Sequence, residues 1–113
     1  MSELPQKERC FVDKRKVTEY LLNTSQMPAA AKARFFISCG FSSEAWETLS
    51  KALIAHAKQG VVVRRVPSDF GVKYEIEGPL HCPDMRSPQV RSVWQIDKDG
   101  LAPRLITAYP VIK

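Results

Sequence analysis

The chain has 113 residues and carries 17 Lys and Arg against 12 Asp and Glu, a formal net charge of +5 at pH 7. With 44% hydrophobic and 26% charged residues it is a globular chain of one-domain size, which excludes a disordered polyelectrolyte. The three cysteines, Cys10, Cys39 and Cys82, form no CxxC pair, which argues against a disulfide framework or a zinc site, and no apolar run reaches the ~20 residues that cross a bilayer.

Residues 1–12 are polar and read as an N-terminal arm, with a short extended piece at Cys10-Phe11-Val12, ahead of a single domain over residues 13–113. The first 16 residues hold no long apolar segment, so no signal peptide is expected and a cytoplasmic location is the default reading. Asp13 is a favoured N-cap for the run KRKVTEYLLN, in which Val17, Tyr20 and Leu21 fall on one helical face. Asn23-Thr24-Ser25 supplies turn chemistry after it. Pro28 suits the first turn of a second helix, AAAKARFFISC, whose Phe35, Phe36 and Cys39 form a buried stripe and whose C-terminal glycine is Gly40. Ser42 and Ser43 are placed to cap a third helix with an apolar face of Trp46, Leu49, Leu53 and Ala57, ended by Gly60. His56 lies near that face and reads as a packed histidine.

After Gly60 the hydrophobic period changes from the helical repeat to alternation. VVVRRV is short and β-branched, and Pro67-Ser68-Asp69 is a turn. VKYEIEGPL alternates Val72, Tyr74 and Ile76 with Lys73, Glu75 and Glu77. The Pro-bounded HCPDMRSP is a loop, and QVRSVWQI and PRLITAYP flank a turn at Asp97–Gly100. Helices first and turn-linked strands after them define an α+β domain: three N-terminal helices packed on one face of a four-stranded antiparallel sheet.

The sheet then has one face under the helices and one open. In the third strand Val90, Ser92, Trp94 and Ile96 are the more apolar set and point inward; in the fourth, Ile106 and Ala108 are placed inward. That leaves Arg91, Thr107 and Tyr109 outward, joined by Lys73 and Glu75 of the second strand. An Arg holds a phosphate bidentately and stabilises charge in a phosphoryl transition state, hydroxyls add hydrogen bonds, Lys73 neutralises charge and Glu75 offers a base. The same residue types are common on solvated sheet faces, where cross-strand pairing explains them. Lys32 and Arg34 on the second helix are candidate phosphate ligands or simply solvated charges, and His81 in the loop is a candidate acid or base. Lys14-Arg15-Lys16 sets cations at a helix start, where the dipole disfavours them. His81-Cys82 lacks further ligands at metal spacing, so neither metal nor cofactor is expected.

VTEYLLN, KARFF followed by GF, FGVKYEIEGPL, VRSVWQI and PRLITAYP together resemble a bacterial domain family of unknown function, over about Phe11 to Pro110. The last two motifs are the more specific. Similar domains stand alone or end larger phage-head-like or secreted toxin proteins, and that context implies a resemblance to the barnase–EndoU–RelE group of small ribonucleases. That resemblance implies helices before an antiparallel sheet and RNA cleavage on its open face. It carries over to Arg91, Thr107, Tyr109 and Lys73 as catalytic candidates and to Lys32 and Arg104 as substrate-binding ones, with Tyr74 and Trp94 falling on the inward face as core; His81 joins the substrate-binding candidates from its place in the loop, not from the resemblance. Such enzymes often use a His or Glu base, and no His occurs in the sheet motifs here. Two functions stand open: a metal-independent endoribonuclease of toxin type acting on RNA, paired with a cognate antitoxin or immunity protein, and a non-catalytic protein-binding or accessory module.

Overall fold

A computed structural model describes residues 3–23 and 29–111. Helix α1 (Lys14–Lys16) runs directly into a π-helical turn (Val17–Leu21), and α2 (Ala29–Ser38) and α3 (Trp46–Gln59) follow. Strands β1 (Val61–Ser68), β2 (Gly71–Pro79), β3 (Gln89–Asp97) and β4 (Arg104–Pro110) then form one sheet in the order β1-β2-β3-β4, every pair antiparallel. The expected class and layer arrangement are those observed: α3 lies against β2 and β3, and α1 and α2 lie against β4. Thr24, Ser25 and Pro28 fall outside the described residues.

Asp13 caps α1 as expected, its carboxylate accepting from the Arg15 N–H at 2.8 Å. The next turn is where the helical expectation fails. Leu22 N–H donates to Val17 O at 2.9 Å, a span of five residues rather than four. The extra residue rotates the face, so Val17, Leu21 and Leu22 are buried while Tyr20 swings out to a half-buried position. The α2 stop is as expected: Gly40 has φ +104 and Phe41 N–H donates back to Phe36 O at 3.2 Å. The α3 start is not. Ala45 occupies the N-cap without a side-chain bond, and Ser42 Oγ instead accepts from the Ala45 N–H at 3.3 Å, one turn too early.

The N-terminal segment is seated on the body. Leu4 and Cys10 are buried in the core, and Phe11 makes a parallel bridge to Arg104 at the outer edge of β4. The core gathers Val17, Leu21, Phe36, Leu49, Leu53, Ile76 and Trp94, with Tyr74, Val90, Leu105 and Ala108 on the covered face of the sheet. Ile106 is a correction. A bulge sets Val93 opposite Thr107 and Trp94 opposite Leu105, so Ile106 has no partner, and Leu105 takes the inward place beside Ala108.

One polar chain runs through this core. Trp94 Nε1–H donates to Ser92 Oγ at 2.8 Å, Ser92 O–H donates to His56 Nδ1 at 2.9 Å, and His56 Nε2–H points at Val90 O (2.8 Å) and Gly78 O (3.1 Å). The neutral ring protonated on Nε2 satisfies every member, so His56 ties α3 to β2 and β3.

Cys39 and Cys82 lie side by side where the end of α2 meets the β2–β3 loop, and Asp84 N–H donates to Cys39 O at 3.2 Å. Burial, reinforced by the neighbouring Cys39, pushes the Cys82 thiol up to about 12. Cys82 is therefore expected to resist iodoacetamide in the folded protein at pH 8 and to react once the chain is unfolded in urea; mass spectrometry of the labelled peptide separates the two states.

Candidate active site on the open face of the sheet

Three cross-strand rows cross the open face. Glu77, Arg91 and Tyr109 form the first, Glu75, Val93 and Thr107 the second, and Lys73, Gln95 and Arg104 the third. The expected outward set of Arg91, Thr107, Tyr109, Lys73 and Glu75 therefore does share a face. The rows separate it: Lys73 lies four residues along the strands from the Arg91 row, roughly 13 Å at the rise of an extended chain.

Arg91 is not free for an anion. Its Nη1–H donates to Glu75 Oε1 at 3.1 Å and its Nη2–H to Glu77 Oε2, while Glu75 also faces Arg64 at 3.8 Å. The Glu77 carboxylate holds the guanidinium firmly charged, and the Tyr109 hydroxyl adds to this from across the row. The Arg91 Nε–H is buried with no acceptor among the described residues. Glu75, paired twice, is in no position to act as a base.

The free chemistry lies at the β4 edge, where the helices reach round to the open face. Lys32 Nζ donates to Tyr20 Oη at 3.0 Å and to Thr107 Oγ1 at 3.2 Å, and Tyr20 Oη lies 3.2 Å from Thr107 Oγ1. The ammonium also sits 5.4 Å from the Tyr20 ring centre and 5.6 Å from that of Tyr109. Lys16 covers the Tyr20 ring at 5.1 Å. The hydrogen bond from Lys32 lowers the Tyr20 phenol below its ordinary value, with Thr107 and the charge of Lys16 acting in the same direction and partial burial opposing them. A groove of about 360 Å³ opens beside Tyr20, walled by Phe11, Lys16 and Arg104 and by Asp13, Arg15 and Glu19, the last two ion-paired at 2.9 Å.

Four predicted residues thus meet: Lys32, Thr107 and Tyr109 in one cluster, with Arg91 beside Tyr109. Arg104 lines the Tyr20 groove and is paired with Asp97, its Nε–H donating to Oδ2 at 3.1 Å. His81 stands apart; it is exposed, within 3.3 Å of Ser87 Oγ, and borders a separate cavity with Met85 and Arg86. Arg34 is exposed on α2. Tyr20 and Lys16 were missed. Helical spacing placed Tyr20 in the core, and the signal available was the cationic run at a helix start: Lys14 stacks over Trp46 at 5.8 Å and Lys16 over Tyr20. Among the described residues no group of three or more His, Cys, Asp or Glu is arranged to hold a metal ion, and no helix is long and apolar enough to cross a membrane.

The class so defined is an α+β domain whose N-terminal helices cover an antiparallel meander and lend a Tyr–Lys pair to its open face. The chain belongs to the family described as a domain of unknown function, DUF6883, whose model matches residues 3–112. No curated protein matches it in sequence. In structure it is similar to a chain of a contact-dependent growth inhibition toxin–immunity protein complex from Klebsiella pneumoniae 342, with a TM-score of 0.72 and 16% identity over 95% of this chain and 97% of that one. At that identity the likeness is one of fold.

Proposed function

We propose that the protein is a metal-independent endoribonuclease of toxin type, and the observation that carries this reading is the Tyr20–Lys32–Thr107 cluster with its lowered phenol. Tyr20 Oη takes the proton of an RNA 2′-hydroxyl, the 2′-oxygen bonds to the adjacent phosphorus, and the bond from phosphorus to the 5′-oxygen breaks. Lys32 faces the charge that develops on the phosphorane and returns a proton to the departing 5′-oxygen; Thr107 orients the phosphate. The products are a 2′,3′-cyclic phosphate and a 5′-hydroxyl. The fold likeness to a chain of a toxin–immunity complex and the net charge of +5 support this reading.

A second reading, a protein-binding module or immunity-type partner, is favoured by one observation: Arg91 is neutralised by Glu75 and Glu77, which leaves the middle of the open face without a free cation for phosphate. Labelled tRNA and mRNA incubated with the protein in EDTA decide between the two. The ribonuclease reading expects cleavage with cyclic-phosphate ends, lost in Tyr20→Phe. Intact RNA with folded wild-type protein rejects it in favour of the binding module.

A further inference from the structure

At the hairpin end of the open face a second cavity, about 730 Å³, is lined by Phe70, Lys73, Gln95 and Arg104 among others. Arg104 is also a wall of the groove beside Tyr20, so the two concavities share a side chain. Phe70 stands at the tip of the β1–β2 hairpin with 78% of its surface exposed. An aromatic there does nothing for the core, yet its backbone is pinned. Its N–H donates to Ser68 Oγ at 3.2 Å, and its carbonyl accepts from Lys98 N–H at 3.0 Å. Gly71, at φ +141, brings this tip against β3 so closely that a Cβ would lie 2.2 Å from Ile96 O. The ring is thus an exposed, pre-positioned flat surface at the rim of a polar cavity.

The chemistry of the walls narrows the ligand. Lys73, Lys98 and Arg104 are balanced by Asp69, Asp97 and Asp99, so the cavity has no surplus of positive charge for a phosphate. It offers donors and acceptors together. The Lys73 ammonium makes no hydrogen bond or ion pair among the described residues. Gln95 is 6% exposed, held by Nε2–H to Asp97 Oδ1 at 2.6 Å, and its Oε1 accepts nothing among the described residues. A stacking ring beside mixed donors and acceptors fits a planar neutral group with a polar edge.

We propose that this cavity is a nucleobase subsite: an unstacked base of single-stranded RNA rests on Phe70 and presents its edge to Gln95 and Lys73, while the strand passes Arg104 to the Tyr20–Lys32 cluster. The choice of RNA rests on the ribonuclease reading, but the subsite is tested without cleavage. The probe is a short single-stranded oligonucleotide with 2′-deoxyribose at every position, which cannot be cleaved by 2′-oxygen attack. Wild-type protein is expected to bind it with a shift of the Gln95 side-chain amide resonances. Phe70→Ala, at an exposed position, is expected to keep the fold and weaken binding about 10-fold, the loss of one stacked base. Equal binding by Phe70→Ala, or an oligonucleotide that leaves Gln95 unmoved because the cavity takes a protein side chain instead, overturns the subsite. RNA cleavage with an unchanged KM in Phe70→Ala overturns it too and leaves the ribonuclease standing. Phe70-dependent binding by a protein that cleaves no RNA upholds the subsite and removes the ribonuclease reading alone.

Discussion

Lys32→Met is expected, on the ribonuclease reading, to lower the kcat of RNA cleavage by about 10²–10³-fold, the usual cost of removing one group that faces transition-state charge. Two losses combine. The ammonium bonded to Tyr20 and Thr107 disappears, and the phenol rises toward its ordinary value once its main stabilising partner is gone. Activity of the wild type should rise with pH as the phenol loses its proton. In Lys32→Met that rise moves to higher pH, and in Tyr20→Phe it vanishes. The methionine keeps the aliphatic stem between the two rings, so thermal stability should change little. An unchanged pH profile in Lys32→Met sinks the assignment of Tyr20 as the base, whatever happens to the rate.

His56→Ala is the substitution expected to damage the fold most. It opens a hole under α3 and strips the acceptor from the Ser92 hydroxyl and the donor from the Val90 and Gly78 carbonyls. Together these should cost about 3–4 kcal/mol, seen as a fall in Tm of more than 10 °C, roughly. The wild type should also weaken in mild acid. Burial holds the imidazole pKa below its usual 6.5, the hydrogen bonds to Val90 and Gly78 pulling weakly the other way. The unfolded chain therefore takes up a proton before the folded one does. Stability is full above about pH 6.5 and declines as pH falls from there through the folded-state pKa. Denaturant melts at pH 7.5 and pH 5 test this, and His56→Gln should flatten the difference. A variant as pH-sensitive as the wild type would show that another group is responsible.

The architecture was legible because it rests on period. The Val72-Tyr74-Ile76 alternation and the switch at Gly60 declare strands after helices, and Asp13 and Gly40 punctuate the helices with ordinary capping chemistry. The departures have local physical causes that periodicity does not carry. A bulge inserts Ile106 and moves Leu105 inward, and a π turn removes Tyr20 from the face its spacing gives it. The open-face grouping of Arg91, Thr107, Tyr109 and Lys73 followed from alternation in β2 and β3, since the bulge lies between Thr107 and Leu105 and spares the two outward residues beyond it. What alternation does not encode is which cations are already occupied. Arg91 looked available and is held by two glutamates, while Lys32, named only as an accessory, faces Tyr20, Thr107 and Tyr109 together.

The meander has a kinetic meaning. Every strand pairs with its neighbour in the chain, so the sheet closes through short loops with little entropy lost per step. The Tyr20–Thr107 contact, by contrast, joins residues 87 apart and forms only when the N-terminal helices have docked on a finished sheet. Chain order therefore predicts that the Tyr20–Lys32–Thr107 cluster assembles late, together with the Phe11–Arg104 bridge. In refolding, formation of the cluster should lag the return of β structure.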